Sequence, residues 1–198
     1  MLTLHEYGHA WMATRCGDDT AKLQGRVSLN PLVHIDPLGT VLLPLFMIFG
    51  SPSIGRFMIG YAKPVPVNYY NLSHPDRDEM LITLAGPGMN LILAVFLMAL
   101  ARVGNLIHLP DMTDICANMT YLSLLLCFFN LIPIPPLDGS HVMRILTHMS
   151  HETYTKLCRF GFIPIIIVLQ IPVIRNTLAQ VTVNTCNLLA RLFNVHFE

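Results

Sequence analysis

Long apolar segments separated by short polar ones are the main pattern of this sequence. Residues 78–102 and 114–134 are rich in leucine, isoleucine, alanine, methionine, valine and phenylalanine. A helix needs about 20 mostly apolar residues to cross the hydrocarbon core of a bilayer. The pattern therefore predicts two membrane-spanning helices joined by a short loop at 103–113. A Gly-Pro-Gly sequence at 86–88 predicts a kink in the first of them.

The N-terminal third is divided into shorter pieces. Residues 1–17 are typical of the end of a helix, and the first half of a spanning helix is expected upstream of them. Alternation around Gly25 predicts a short hairpin, and alternating proline and valine at 63–68 predict an extended edge strand. The apolar run at 38–50 is too short to span, so it is predicted to enter and leave the membrane on one side. Together these pieces predict a small re-entrant or cytoplasmic β element.

The C-terminal part is less regular. Prolines interrupt the apolar run at 161–174, and residues 176–196 are amphipathic, which is typical of a helix at the membrane surface or in a hairpin. We therefore expect an all-α polytopic membrane protein with a small β element. Residues 1–198 would form one membrane-embedded domain, with a core at 1–145 and a helical segment at 146–198.

Composition supports a membrane protein. Of the 198 residues, 53% are hydrophobic and 12% are charged, whereas soluble domains average about 25% charged residues. A cytosolic globule could not cover its surface with so few charges, but lipid covers an embedded protein. The net charge is zero and no dense basic tract occurs, which argues against nucleic acid as a partner. The five cysteines are scattered and form no CxxC pair, as expected of reduced thiols.

The distribution of basic residues predicts the orientation. Residues 15–77 contain six lysines and arginines, residues 140–160 contain three, and the loop at 103–113 contains none. Because basic residues concentrate in cytoplasmic loops, the first two regions are predicted to be cytoplasmic and the loop external. His9 and Asp138 then lie near the cytoplasmic ends of their helices, at a common depth.

The sequence His-Glu-Tyr-Gly-His at residues 5–9 is the main candidate for chemistry. His5 and His9 are four residues apart, so on a helix both rings lie on one face and suit a single metal ion. Glu6 is placed to act as general base for a metal-bound water. Catalytic zinc usually has three protein ligands, and Asp138 is the candidate for the third because it shares their depth. The alternative for Asp138 is a simple turn after two prolines.

Three motifs in this order resemble the signature of the site-2 protease family, which are intramembrane zinc metalloproteases. The motifs are HEYGH at 5–9, AGPGMN at 85–90 and NLIPIPPLDG at 130–139. The segments KLQGR at 22–26 and NPLVHIDPLGT at 30–40 resemble the small prokaryotic branch. The resemblance extends from residue 1 to about 145, and less distinctly to the end of the chain.

This resemblance implies a metal site and its ligands. His5, His9 and Asp138 would hold Zn²⁺, one ion per chain, and Glu6 would activate the attacking water. The protein would be integral to a prokaryotic plasma membrane, with its active site near the cytoplasmic side.

Three further polar residues match the family pattern. Asn90 and Asn130 would lie near the active site, where their amides could hold substrate backbone or an oxyanion. Hydrogen bonds between helices are the alternative for both. His34 matches the family's loop, where it could approach the metal or gate access, but the favoured interpretation is a histidine of a surface loop.

The expected function is that of a zinc-dependent intramembrane endopeptidase. It would cleave transmembrane segments of membrane proteins, as in regulated intramembrane proteolysis, with protein substrates and membrane lipids as its partners. A substrate unwound into extended form is expected to pair with residues 63–68 by strand addition. Two alternatives stay open: a membrane zinc hydrolase of lipid-linked or peptide substrates, and an inactive pseudoprotease that binds membrane helices.

Overall fold

The computed structural model describes residues 1–36, 63–161 and 163–196, and within these ranges the regular structure is helical. This confirms the predicted all-α character there. The α-helices are α1 (Leu2–Arg15), α2 (Thr20–Leu23), α3 (Pro75–Leu106), α4 (Pro110–Asn130), α5 (Asp138–Leu146), α6 (His151–Cys158), α7 (Ile163–Leu169) and α8 (Pro172–Phe193). Short 3-10 helices occur at Pro31–Val33 and Tyr69–Asn71.

Helices α3 and α4 correspond to the two predicted spans. They have 32 and 21 residues, and both are long and apolar enough to cross a membrane. Helix α3 continues through Pro87, so the Gly-Pro-Gly sequence does not divide it. Helices α7 and α8 would be long enough together, but they are bent by 81° at the break between them. The described part of the chain therefore has two candidate spans, or three if this bent pair is counted as one.

A cluster of buried apolar residues holds α3, α4 and α8 together. Its fully buried members are Ala94, Met98, Ala101 and Leu124. Helices surrounded by lipid gain little hydrophobic energy from association, so they depend on close van der Waals packing, which small residues allow. The alanines on α3 provide that close contact.

The predicted β element is not present among the described residues, which contain no strand. The predicted hairpin around Gly25 is wrong because the chain before it forms the short helix α2. Residues 63–68 form no ladder. Proline nitrogens at 64 and 66 have no hydrogen to donate, and the donors at the two ends serve other groups: Lys63 N–H donates to the His34 carbonyl (3.0 Å) and Asn68 N–H to the Asp18 carboxylate (2.7 Å). The predicted re-entrant run at 38–50 lies outside the described residues.

Asp18 connects the end of α1 to the segment before α3. Its fully buried carboxylate accepts hydrogen bonds from the Thr20 backbone and hydroxyl, from Asn68 N–H and from the Asn71 side chain (2.9 Å). Burial alone would raise the pKa of Asp18, but these donors favour the ionised form and hold the pKa below its ordinary value. The carboxylate thus holds together two loops whose contact the sequence does not predict.

An ion-paired cluster fixes α5 against α3. The Glu79 carboxylate, 2% exposed, accepts hydrogen bonds from the Arg144 guanidinium, with Nε at 3.1 Å, and its Oε1 lies 3.0 Å from His141 Nδ1. Glu79 is on α3, whereas Arg144 and His141 are on α5. Because α5 begins at Asp138, this cluster sets the position of the first residue of that helix.

Candidate metal centre

Three metal-ligating side chains meet where α1 faces the beginning of α5. His5 and His9 are one helical turn apart on α1, and their Nε2 atoms are 3.1 Å apart. Asp138 Oδ2 lies 3.1 Å from His5 Nε2 and 3.4 Å from His9 Nε2. Asp138 lies more than 120 positions after the two histidines, yet each of the three places one potential ligand atom around a common point.

The distances and the atom types suit a zinc-sized cation. In a tetrahedral site with ligand bonds of about 2.0–2.1 Å, neighbouring ligand atoms lie about 3.3–3.4 Å apart, close to the three distances observed. Asp138 Oδ2 is buried and makes no hydrogen bond to any described residue. Two imidazole lone pairs and a carboxylate oxygen facing each other would repel, and a bound cation removes that repulsion. The residues present therefore fit a metal ion.

Helix α3 holds the two imidazole rings in place. His9 Nδ1 donates to the Ile82 carbonyl at 2.7 Å, which leaves the Nε2 lone pair directed at the common point. Gly86 lies against both rings. A Cβ there would be 2.5 Å from His9 Cε1 and 2.9 Å from His5 Cε1. The close approach of α1 to α3 therefore depends on a residue without a side chain.

A second glycine brings the helices together on the other side of this contact. A Cβ on Gly8 of α1 would lie 2.6 Å from the Ala85 carbonyl oxygen and 2.7 Å from Met89 Cγ. The sequence signal for this contact is a glycine inside each of the two helical motifs at 5–9 and 85–90. The sequence does not show that these motifs face each other, so the signal alone does not predict the contact.

A cavity of about 500 Å³ opens beside the three candidate ligands. Glu6 lines it together with His5, His9 and Asp138, and the Glu6 side chain is itself buried. Most of the remaining wall is apolar, with Val65 and Val67 among the residues that form it. A carboxylate next to a metal site in a largely apolar cavity is the arrangement that general-base activation of water requires.

Comparison with known proteins gives the family. The model of Peptidase family M50 matches residues 1–111 and 102–169. The protein named "Putative zinc metalloprotease YwhC" of Bacillus subtilis is 35% identical over 179 residues, which cover 86% of this chain and 77% of that relative. The chain belongs to peptidase family M50.

Other bacterial relatives of this M50 peptidase have a lower sequence identity and match over a smaller share of their own length. Rip2 of Mycolicibacterium smegmatis, with the same zinc metalloprotease designation, is 33% identical over 86% of this chain and 64% of its own length. Stage IV sporulation protein FB of Bacillus subtilis is 26% identical over 74% of this chain and 48% of its own length. No solved structure matches significantly. The family membership confirms the resemblance to site-2 proteases and makes the chain an intramembrane metallopeptidase.

The two asparagines of the M50 motifs occupy different places. Asn130, at the end of α4, lines the cavity, and its Nδ2 donates to the Leu126 carbonyl at 2.9 Å. Asn90 is fully buried on α3, with Nδ2 at 3.1 Å from His5 Nδ1. Asn130 therefore borders the space where a substrate would bind, whereas Asn90 contacts a candidate ligand from behind.

The interpretation of His34 as a surface residue is wrong. Its side chain is only 3% exposed, and its Nε2 is 2.8 Å from the Ser28 carbonyl. The backbone carbonyl of His34 also accepts from Lys63 N–H. His34 thus joins the loop after α2 to the segment that lines the cavity. A histidine in a polar, proline-punctuated loop gives no sequence signal of this burial.

Tyr69 is a cavity residue that the sequence does not single out. Burial and, to a smaller extent, the Glu79 carboxylate raise the pKa of Tyr69, Arg144 partly opposes them, and the resulting pKa is about 12. The hydroxyl therefore stays protonated at neutral pH and is available as a hydrogen-bond donor at the cavity wall.

Proposed function

We propose that this peptidase binds one Zn²⁺ per chain through His5, His9 and Asp138 and hydrolyses peptide bonds within transmembrane segments of other proteins. The observation that carries the proposal is the triangle of three ligand atoms, with sides of 3.1, 3.1 and 3.4 Å, beside a cavity that Glu6 lines. The zinc metalloprotease names of the relatives support the choice of metal.

The chemistry would follow from the residues around the cavity. A zinc ion at this site supplies Lewis acidity, which polarises a carbonyl and lowers the pKa of a bound water. Glu6 would accept the proton of the attacking water and transfer it to the leaving amide nitrogen. Asn130 would hold the substrate through its amide, because it borders the same cavity. The apolar walls would exclude bulk water from the reaction.

The segment at 63–68 is proposed to hold the substrate in extended form. Val65 and Val67 line the cavity, and no hydrogen bond between described residues involves their backbone N–H groups. The Lys63 and Pro64 carbonyls already accept hydrogen bonds from the Arg26 side chain. An unwound substrate that passes this segment would supply the missing acceptors. Strand addition thus needs only the substrate to be extended, not a strand already formed in the enzyme.

Orientation and biological role are further parts of the proposal. The basic residues at 15–77 and 140–160 support a metal site near the cytoplasmic side of a bacterial plasma membrane. A site at that depth would cut a transmembrane segment close to its cytoplasmic end. Release of a cytoplasmic domain is the expected consequence, as in regulated intramembrane proteolysis.

The test combines metal analysis with cleavage. The full chain is purified in detergent, its zinc content is measured, and single-span candidate substrates are co-reconstituted with it in vesicles. We expect about one zinc per chain, loss of zinc in His5→Ala, and cleavage within the substrate span.

The control is Glu6→Gln, which keeps size and polarity but removes the base. We expect it to retain zinc while turnover falls by about 10²–10⁴-fold, as is typical of a lost general base. Zinc binding with turnover of lipid-linked or soluble peptides only would identify a different hydrolase. A wild-type chain without zinc that still binds membrane helices would identify a pseudoprotease and overturn the proposal.

A further inference from the structure

Asn90 lies behind His5, on the side away from the candidate metal. Its side chain is fully buried, and its Nδ2 is 3.1 Å from His5 Nδ1. Asn90 Oδ1 is also buried, and it has no hydrogen-bond partner in the part of the chain that the structure describes. A buried amide oxygen without a donor is destabilising, so the orientation of this amide matters.

The orientation of the Asn90 amide determines which nitrogen of His5 carries the proton. If the amide N–H donates to His5 Nδ1, the ring proton must sit on Nε2. Nε2 then points a hydrogen at the position where His9 Nε2 and Asp138 Oδ2 converge, and it has no lone pair for a cation. Oxygen and nitrogen of an asparagine amide are exchanged by a half-turn about its last bond and are assigned from hydrogen bonding.

The exchanged orientation frees the Nε2 lone pair of His5. With Oδ1 facing the ring, His5 Nδ1–H donates to it, and the amide nitrogen takes the buried position that has no partner among the described residues. His9 already has this arrangement, because its Nδ1 faces the Ile82 carbonyl, which can only accept, at 2.7 Å. Metal-bound histidines commonly donate their second N–H to a carbonyl or carboxylate in this way.

We infer that Asn90 is a positioning residue that accepts the Nδ1 proton of His5 and so directs the Nε2 lone pair of His5 at the metal. This inference rests on the proposed zinc site, and it replaces a substrate contact as the role of Asn90. The Asn90 backbone is anchored as well, since its carbonyl accepts from the Ser123 hydroxyl of α4 at 2.8 Å. This contact ties α3 to α4 through the Asn90 backbone and does not involve the amide that faces His5.

Variants separate this role from simple packing. Asn90→Leu keeps a similar volume without an acceptor, Asn90→Asp keeps the acceptor, and Ser123→Ala removes the neighbouring inter-helix hydrogen bond without touching His5. Zinc affinity of the purified full chain is measured by competition with a chelator. We expect Asn90→Leu to bind zinc about 10–100-fold more weakly, the usual cost of losing such a partner. Asn90→Asp should bind within a few fold of wild type, and Ser123→Ala should be unchanged.

A second measurement does not require the Asn90 variants to fold. Nitrogen-15 NMR of histidine-labelled, zinc-loaded wild type, assigned by comparison with His5→Ala, reports the protonated ring nitrogen of His5. Protonation at Nδ1 is expected. Protonation at Nε2, or wild-type zinc affinity in Asn90→Leu, overturns the inference. Equal weakening in Asn90→Leu, Asn90→Asp and Ser123→Ala also overturns it, because packing alone would explain that result.

The two proposals fail in different ways. If wild type and His5→Ala bind zinc equally poorly, the proposed metal site is wrong. If wild type binds zinc, His5→Ala does not, and Asn90→Leu matches wild type, only the role of Asn90 is wrong.

Discussion

Replacement of Gly86 by alanine tests whether the helix contact positions the candidate ligands. The added Cβ would lie 2.5 Å from His9 Cε1 and 2.9 Å from His5 Cε1, and it would be nearer still to His9 Nε2. Ordinary carbon–carbon contacts begin at about 3.5 Å, so the His9 ring must move by about 1 Å. Helix α3 cannot simply be displaced sideways, because the same interface contains the close contact of Gly8 with Ala85.

The expected effect of Gly86→Ala follows from that displacement. A shift of about 1 Å in a positioned group costs on the order of 10²-fold in rate, and the altered ligand distances should weaken zinc binding as well. The assay measures zinc content, zinc affinity and cleavage of a membrane substrate for the purified variant. We expect turnover to fall about 10²-fold or more, with a measurable loss of zinc affinity.

Gly88→Ala is the matched control for this experiment. Gly88 lies two residues further along the same helix, and a Cβ there would meet nothing within 4 Å. Alanine is about 0.8–1 kcal/mol more favourable than glycine inside a helix, so Gly88→Ala should keep full activity and unfold at an equal or higher temperature. If Gly86→Ala also keeps wild-type zinc affinity and turnover, the rings are not held against Gly86 and the reasoning is refuted.

Two further predictions concern the loops around the site. Asp18→Asn should destabilise the chain by about 1–3 kcal/mol near neutral pH, since it removes the charge from a buried, hydrogen-bonded carboxylate. Because folding lowers the pKa of Asp18, its contribution to the free energy of unfolding is complete above the ordinary pKa of about 3.9 and is lost as pH falls through the folded pKa. Thermal unfolding of wild type and variant between pH 6 and 3 should show their difference in stability shrinking at the acid end. A constant difference in stability would contradict this. Replacing Val65 and Val67 by proline should reduce cleavage while zinc content stays unchanged, because their N–H groups are lost. Normal cleavage by a folded, zinc-loaded variant would mean that the substrate enters by another face.

The sequence predicts the parts of this fold that depend on local pattern. Hydropathy alone locates α3 and α4, because a lipid-exposed helix must be apolar over its length. The spacing of His5 and His9 predicts a shared helix face, and they do lie on one helix. Asp138 is harder to predict. Only a common membrane depth and the family motifs indicate it, since a lone aspartate after prolines is typical of a turn.

The errors arise where contacts between distant segments override local pattern. Alternation around Gly25 suggests a hairpin, but the described residues contain no strand to pair with it, and a helical turn satisfies the backbone instead. The extended segment at 63–68 is held by the Arg26 and Asp18 side chains rather than by a ladder. The burial of His34 depends on the same packing. None of these partners is adjacent in sequence, so no periodicity indicates them.

The position of the candidate metal centre follows from how three helices are fixed to one another. His5 and His9 depend on α1 lying close to α3, which requires glycine on both sides of the contact. Asp138 depends on α5, whose rotation against α3 is fixed six residues later by the ion pair of Arg144 with the buried Glu79. Helix α3 therefore positions all three candidate ligands, although it provides none of them. Orienting candidate ligands on two neighbouring helices explains the glycine, asparagine and glutamate in this otherwise apolar helix. Each of these residues would be costly there without such a role.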